Sequence, residues 1–219
     1  MLKVGLTGGI AAGKSSVGEM FVALGAHLIQ ADAIAHQLMQ PGETVYQEVV
    51  RRFGPGILDP DGKINRARLA EVAFGSSTKS GTAEKQSRVL QLNQIVHPPV
   101  IRKQEEWMEE IGRHDPQAIA IVEAALILEA GLLKHFDRLI VVTCQPEQRI
   151  DRWARRVHVD METARKEIAR RMAAQFPDEE KIKVADYVID NSRPLDMTSR
   201  QVKSVYKALK QQASLEPRA

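Results

Sequence analysis

The chain has 219 residues, 43% of them hydrophobic, and a net charge of +3, a composition that suits a globular protein with one sizeable core. The charge is too small to argue for nucleic acid by itself, and the most apolar run, residues 118–133, is broken by Glu123 and Glu129, so no membrane span is expected. Cys144 is the one cysteine and cannot pair within the chain, and a strand is expected from residue 2 with no leader before it; both fit a cytoplasmic protein.

Leu2, Val4 and Leu6 alternate with Lys3 and Gly5, the period of a short strand. It runs into Gly8-Gly9-Ile10-Ala11-Ala12-Gly13-Lys14-Ser15, which has the phosphate-loop spacing G-x-x-x-x-G-K-[ST]. Val17, Met20, Phe21 and Leu24 then make one apolar helix face, and Gly25 is placed to end that helix. Glycines let the backbone curl so that successive N–H groups converge on an anion, and the following helix adds free N–H groups and its positive dipole end. Lys14 is expected to reach the β- and γ-phosphates and Ser15 to hold Mg²⁺. The strand–turn–helix frame thus predicts a nucleoside triphosphate with Mg²⁺.

Residues 27–31 read as a second strand ending at Asp32, and 33–39 as a helix stopped by Pro41-Gly42. Residues 43–53 are helical, with Val45, Val49 and Phe53 on one face and Gly54 as the stop. Asp59-Pro60-Asp61-Gly62 is a turn, and Asn65 is a candidate cap for a helix through Phe74, closed by Gly75. Residues 76–87 are polar and aperiodic, a loop expected to be an insertion rather than a lid. Residues 88–96 turn helical, and His97-Pro98-Pro99 is expected to interrupt them before a long helix to about Ile111.

Residues 118–123 are a buried strand, 124–133 a helix, and 138–144 the clearest candidate for a central strand. Pro146 suits the first position of a helix over 147–156, and Asp160 caps another over 161–175. Pro177-Asp178 breaks the chain, 187–190 is a fifth strand, and the last helix spaces Val202, Val205, Tyr206 and Leu209 on one side. Five short strands separated by helices predict an α/β fold, a five-stranded parallel sheet with helices on both faces. Ligands of such sheets bind outside the carboxyl ends of the strands, which gathers the glycine loop, Asp32 and Glu123.

Asp32 fits two compatible roles: base on a hydroxyl that attacks the γ-phosphate, and N-cap of the helix from Ala33. Glu123 or Glu129 is the candidate to order water on Mg²⁺, the alternative being that both lie on a solvated edge. Between Arg149 and Gln175, the cations Arg149, Arg152, Arg155, Arg156, Arg165, Lys166, Arg170 and Arg171 outnumber Asp151, Asp160, Glu162 and Glu167. That segment reads as a basic lid over triphosphate, as solvated helix faces, or as a nucleic-acid patch for which Trp153 alone is weak stacking support. His97 by itself reads as structural, and no histidine pair has zinc spacing. No N-K-x-D segment reads guanine, and large ATPases need far more chain, which leaves a small kinase of metabolites or nucleotides.

From about Leu2 to Leu209 the chain resembles the dephospho-CoA kinase family. Leu6-Thr7-Gly8-Gly9-Ile10 followed by Gly13-Lys14-Ser15 has that family's loop form, and Ala31-Asp32-Ala33-Ile34-Ala35-His36 is similar to its D-A-D-x-I-A-R segment. Leu92-Asn93, Ile95, His97-Pro98 and Val100 follow its L-N-x-I-x-H-P-x-V signature, and Arg152, Arg156, Arg171, Gln175 and Lys181 fit its lid. Residues 185–191 resemble its last strand. The resemblance implies a nucleotide-kinase-like P-loop fold with a helical substrate domain and a small helical lid. Its segments would be a nucleotide-binding core of 1–32, 114–148 and 184–219, a CoA-binding region of 33–113, and a basic lid of 149–183. It implies that ATP phosphorylates the ribose 3′-hydroxyl of dephospho-CoA, with no nucleic-acid or membrane partner. Asp32, Lys14 and Arg152 would be catalytic. Residues 8–16, ending at Ser16, would hold ATP with Arg156, and Asp32, His97 and Arg171 would serve the substrate. Ser15 and Glu123 would take the metal. Three departures stand out: Ala11-Ala12 replaces Gly-Ser, Glu123 and Ala125 replace aspartate and proline of D-x-P-L-L-x-E, and residues 76–87 are long for the family.

Overall fold

The computed structural model describes residues 1–74 and 82–215. They form two compact units, Met1–Gln30 with Met108–Ala219, and Ala31–Trp107.

The first unit is built on five parallel strands: β1 (Leu2–Gly8), β2 (His27–Gln30), β3 (Ile119–Glu123), β4 (Arg138–Thr143) and β5 (Tyr187–Asp190). Their order is β2-β3-β1-β4-β5, and the five-stranded parallel sheet is the one the strand rhythm predicted. β1, β3 and β4 are buried on both faces, which is why their sequences read as apolar runs. From β1 the chain steps to β2 and β3 on one side, then crosses to β4 and β5 on the other. The carboxyl end of β1 is therefore the switch point where such sheets take ligands.

On one face, α1 (Lys14–Ala23) and α9 (Leu195–Leu215) press Val17, Phe21, Val202, Val205 and Leu209 onto Leu2, Val4, Leu6, Ile121 and Ile140. The other face is covered by Ile127, Leu128, Leu132, Leu133 and Phe136, against Leu139 and Val141. A helix was expected over 124–133; the chain instead folds back in turns and a 3₁₀ turn, Leu132–His135. Gly131 at φ 69° makes that reversal, and Ile127 is buried, with Leu128, Leu132 and Leu133 partly buried beside it, without a helix.

Three further helices follow β4 and flank the loop after β1: α6 (Pro146–Val157), α7 (Met161–Met172) and α8 (Asp178–Lys183). Pro146 opens α6, and Asp160 caps α7 by accepting from the Thr163 N–H at 2.8 Å. α7 stops at Met172, short of the expected 175, and residue 178 begins α8 where only a break was expected. Ile150, Trp153 and Ala154 of α6 pack on Ala164 and Ile168 of α7, with Ile10 and Ala11 against the same cluster.

The second unit is helical: α2 (Ala31–Leu38), α3 (Thr44–Phe53), α4 (Arg66–Phe74) and most of α5 (Thr82–His114), inside which the boundary between the units falls. Asn65 caps α4, accepting from the Arg68 N–H at 3.0 Å. The Asp59–Gly62 turn closes with Gly62 at φ 80°. Two expectations need correction. α5 continues through Pro98 and Pro99, although each removes one i→i−4 donor, and it presents Val96 and Val100 to the interior on either side of the pair. Of the loop expected over 76–87, residues 82–87 belong to α5; residues 75–81, with the Gly75 stop, lie outside the described residues.

Candidate active site

Between β1 and α1 the chain curls, with Ala11 at φ 54° and Gly13 at φ 94°. Ala11 thus stands in the left-handed region where a glycine is unstrained, at a cost on the order of 1 kcal/mol. Gly9 and Gly13 are needed for close approach. A Cβ on Gly9 would lie 1.8 Å from the Arg149 guanidinium, and one on Gly13 would lie 2.1 Å from the Asn191 side-chain nitrogen. Lys14 Nζ donates across the loop to the carbonyls of Gly8 at 3.1 Å and Gly9 at 3.2 Å. The Ile10 N–H donates to Gln175 Oε1 at 3.2 Å. The Ala12 carbonyl accepts from Asn191 Nδ2 at 2.9 Å and from an Arg152 guanidinium N–H at 3.2 Å.

Beside the loop, the Ser15 hydroxyl donates to Glu123 Oε1 at 2.8 Å, and Gln30 donates to Glu123 Oε2 at 3.1 Å. The parallel register makes this pairing: Glu123, on β3, sits opposite Leu6 of β1 and opposite Gln30 of β2. Glu123 is only 8% exposed, so its carboxylate has lost most of its water. Glu129 is turned elsewhere. Its Oε1 accepts from the Phe176 N–H at 2.8 Å and pairs with the fully buried Lys181 at 3.0 Å.

The cations of α6 and α7 separate into two kinds. Arg155 pairs with Asp151, Arg165 with Glu147, Lys166 with Glu162, and Arg170 and Arg171 with Glu167. Those two arginines hold the Glu167 carboxyl down to about 2, against its ordinary 4.5, chiefly through the Arg170 hydrogen bonds. Arg149 is buried in an ion pair with Asp178 beneath Gly9. Arg152 and Arg156 alone of the cluster have no carboxylate partner among the described residues. Arg152 lies on the loop; Arg156 stacks on the Trp153 ring at 4.7 Å, as Arg171 does at 4.4 Å. Trp153 itself is buried, so its ring is a platform for guanidinium groups rather than an open stacking surface.

The first unit therefore brings together residues 8–15, Glu123 and Arg152, and joins Arg156 to Arg171 through Trp153. Ser16 is exposed on the first turn of α1. Asp32 and His97 belong to the second unit. Asp32 is exposed inside the first turn of α2, which starts at Ala31, so it is not the cap of a helix from Ala33. His97 is half-buried in α5, and burial pushes its pKa below the usual histidine value. Sequence reasoning did not place Gln30, Arg149, Asp178 or Asn191 at the loop. Each reaches it only through pairing of elements distant in the chain; the cluster of Arg149 with other arginines was the one local signal.

A family model described as dephospho-CoA kinase matches residues 2–196. A dephospho-CoA kinase of Aquifex aeolicus is 38% identical over 209 residues, covering 95% of this chain and 98% of its own. One of Streptomyces avermitilis is 39% identical over 206 residues, with coverage of 94% and 93%. Among solved structures, a Thermus thermophilus protein superposes with a TM-score of 0.74 at 28% identity, over 99% of this chain and 98% of that one. A dephospho-CoA kinase from Campylobacter jejuni shares the fold, with a TM-score of 0.65 at 24% identity and coverage of 96% and 98%.

Proposed function

The chain belongs to the dephospho-CoA kinase family, and from that premise we propose how its own residues transfer the γ-phosphate of ATP to the ribose 3′-hydroxyl of dephospho-CoA, giving CoA and ADP. The observation that carries the reading is the glycine loop at the switch point of the sheet, with Lys14 lying across it and Ser15 bonded to Glu123. Residues 8–16 cradle the triphosphate with backbone N–H groups. Lys14 turns from the Gly8 and Gly9 carbonyls to the phosphates, while Arg152 and Arg156, without acidic partners among the described residues, offer charge to the transferred group.

Ser15 and Glu123 fit a Mg²⁺ ion: both are hard oxygen donors, already 2.8 Å apart. No group of three or more His, Cys, Asp or Glu suited to a metal occurs among the described residues, so the remaining ligands would be phosphate oxygens and water. Such an ion neutralises charge on the β- and γ-phosphates when bound. Asp32 takes the proton of the attacking hydroxyl, and His97 and Arg171 bind dephospho-CoA. Residues 33–113 form the CoA-binding region and 149–183 the lid. No helix among the described residues is long and apolar enough to cross a membrane, and we place the reaction in the cytoplasm, without nucleic-acid partners.

The test is ADP release with dephospho-CoA, nucleoside monophosphates and pantetheine-type compounds as rival acceptors. Dephospho-CoA is expected to turn over fastest; a faster nucleoside monophosphate overturns the acceptor. Asp32→Asn is expected to lower kcat by about 10²–10⁴-fold while ATP affinity holds. An unchanged rate removes Asp32 from the mechanism.

A further inference from the structure

The loop's Ala12–Gly13 peptide is gripped by a chain of contacts that begins on the far helix of the sheet. Asn191 follows β5 directly, and its backbone N–H extends the ladder to the Thr143 carbonyl at 2.8 Å. Its side chain is buried. The Thr198 hydroxyl of α9, itself fully buried, donates to Asn191 Oδ1 at 3.0 Å. The Ala12 carbonyl can only accept, so it selects the NH₂ end of the amide, which donates to it at 2.9 Å, and the oxygen end is left for the Thr198 hydroxyl to hold from behind. Arg152 closes the ring of contacts, donating to Ala12 O at 3.2 Å and to Asn191 O at 2.8 Å.

A trans peptide points its C=O and N–H in opposite directions. With the Ala12 carbonyl drawn toward Asn191, the Gly13 N–H is directed to the opposite side, among the donors that curl around an anion. Gly13 suits this twice: it takes φ 94° without strain, and it has no Cβ to strike Asn191.

We propose that Asn191 is a positioning residue for ATP: its amide, held in place by Thr198, locks the Ala12–Gly13 peptide so that the Gly13 N–H meets the bound phosphates. Asn191 touches no phosphate in this role and acts through the loop. The inference rests on the loop being the ATP site and is independent of which acceptor is phosphorylated.

The test titrates ATP into the folded full-length wild type and the variants Asn191→Ala, Asn191→Asp, Thr198→Val and Thr198→Ser, and measures KM for both substrates. Asn191→Ala is expected to weaken ATP binding about tenfold, the scale of one lost hydrogen bond. Asn191→Asp is expected to weaken it further, because a carboxylate oxygen then faces the Ala12 carbonyl. Thr198→Val should weaken ATP by about threefold, with Thr198→Ser restoring it, while KM for dephospho-CoA moves less than about twofold throughout. Should Asn191→Ala not fold, Thr198→Val against Thr198→Ser decides. ATP affinity within about twofold of wild type in the folded Asn191 and Thr198 variants overturns the proposal, as does an equal loss on both substrates. A wild type that binds ATP but ignores dephospho-CoA overturns the acceptor alone.

Discussion

In the glycine loop, the groups that hold the backbone come from far along the chain: Asn191 and Arg152 on Ala12, Gln175 on Ile10, and the buried Arg149–Asp178 pair under Gly9. On the outer faces of α6 and α7 most ion pairs are local and exposed, such as Asp151 with Arg155 and Glu162 with Lys166, each one helical turn apart. The first arrangement fixes a geometry, because buried partners have no water to fall back on. The second trims net charge at little energetic cost or gain. The contrast also sorts the arginines. A guanidinium beside a carboxylate brings less net charge to a phosphate, whereas Arg152 and Arg156 have no acidic partner among the described residues.

The largest test of that contrast is in the buried pairs. Lys181→Met leaves the Glu129 carboxylate, 13% exposed, with one backbone donor and no cation. We expect a loss of about 3–5 kcal/mol in thermal unfolding, whereas Lys166→Met should lose no more than about 0.5 kcal/mol. Equal losses would erase the distinction between buried and surface pairs. Next in size, Arg152→Ala is expected to lower kcat about 10²-fold, and Arg165→Ala, whose partner is Glu147, to stay within about twofold in the same ADP-release assay. A comparable fall in both would mean that pairing with Glu147 does not keep Arg165 out of the reaction.

The smallest effect concerns pH. The Glu167 carboxyl sits at about 2 when folded and near 4.5 when free of its partners, so its folded-state pKa is depressed. Its contribution is therefore complete above about pH 4.5 and is lost as pH falls toward 2. Because Glu167 is 26% exposed and its arginines more so, solvent screening reduces the gain to about 1 kcal/mol. Glu167→Gln should be less stable than wild type by that amount at pH 7 in denaturant titrations, with the difference closing by about pH 2. A gap that widens in acid would reverse the assignment.

Much of the architecture could be read before any coordinates. Period-2 apolar spacing located β1, short apolar runs located the other strands, and Pro146, Asp160 and Asn65 marked helix starts through local hydrogen-bond and φ preferences. The reading failed where local rules were overridden. Pro98-Pro99 predicts a helix break, yet α5 continues, because residues on both sides of it are buried on a shared face. Residues 124–133 were read as a helix, yet a turn at Gly131 brings Ile127, Leu128, Leu132 and Leu133 onto the sheet without one. At the site, the glycine spacing and Lys14-Ser15 were legible because backbone curl, cation and hydroxyl are consecutive in the chain.

Those same local properties set the limit of what the sequence by itself determined: five strands, a glycine loop with phosphate-binding spacing, and the family to which these motifs point. Which of two carboxylates meets Ser15, which arginines lack an acidic partner, and which amide grips Ala12 were decided by the tertiary structure alone. The physical reason is separation along the chain. Ser15 and Glu123 are 108 residues apart, and Ala12 and Asn191 are 179 apart. Contacts over such distances exist only once strand register has brought the carboxyl ends of β1, β3 and β5 to one edge of the sheet.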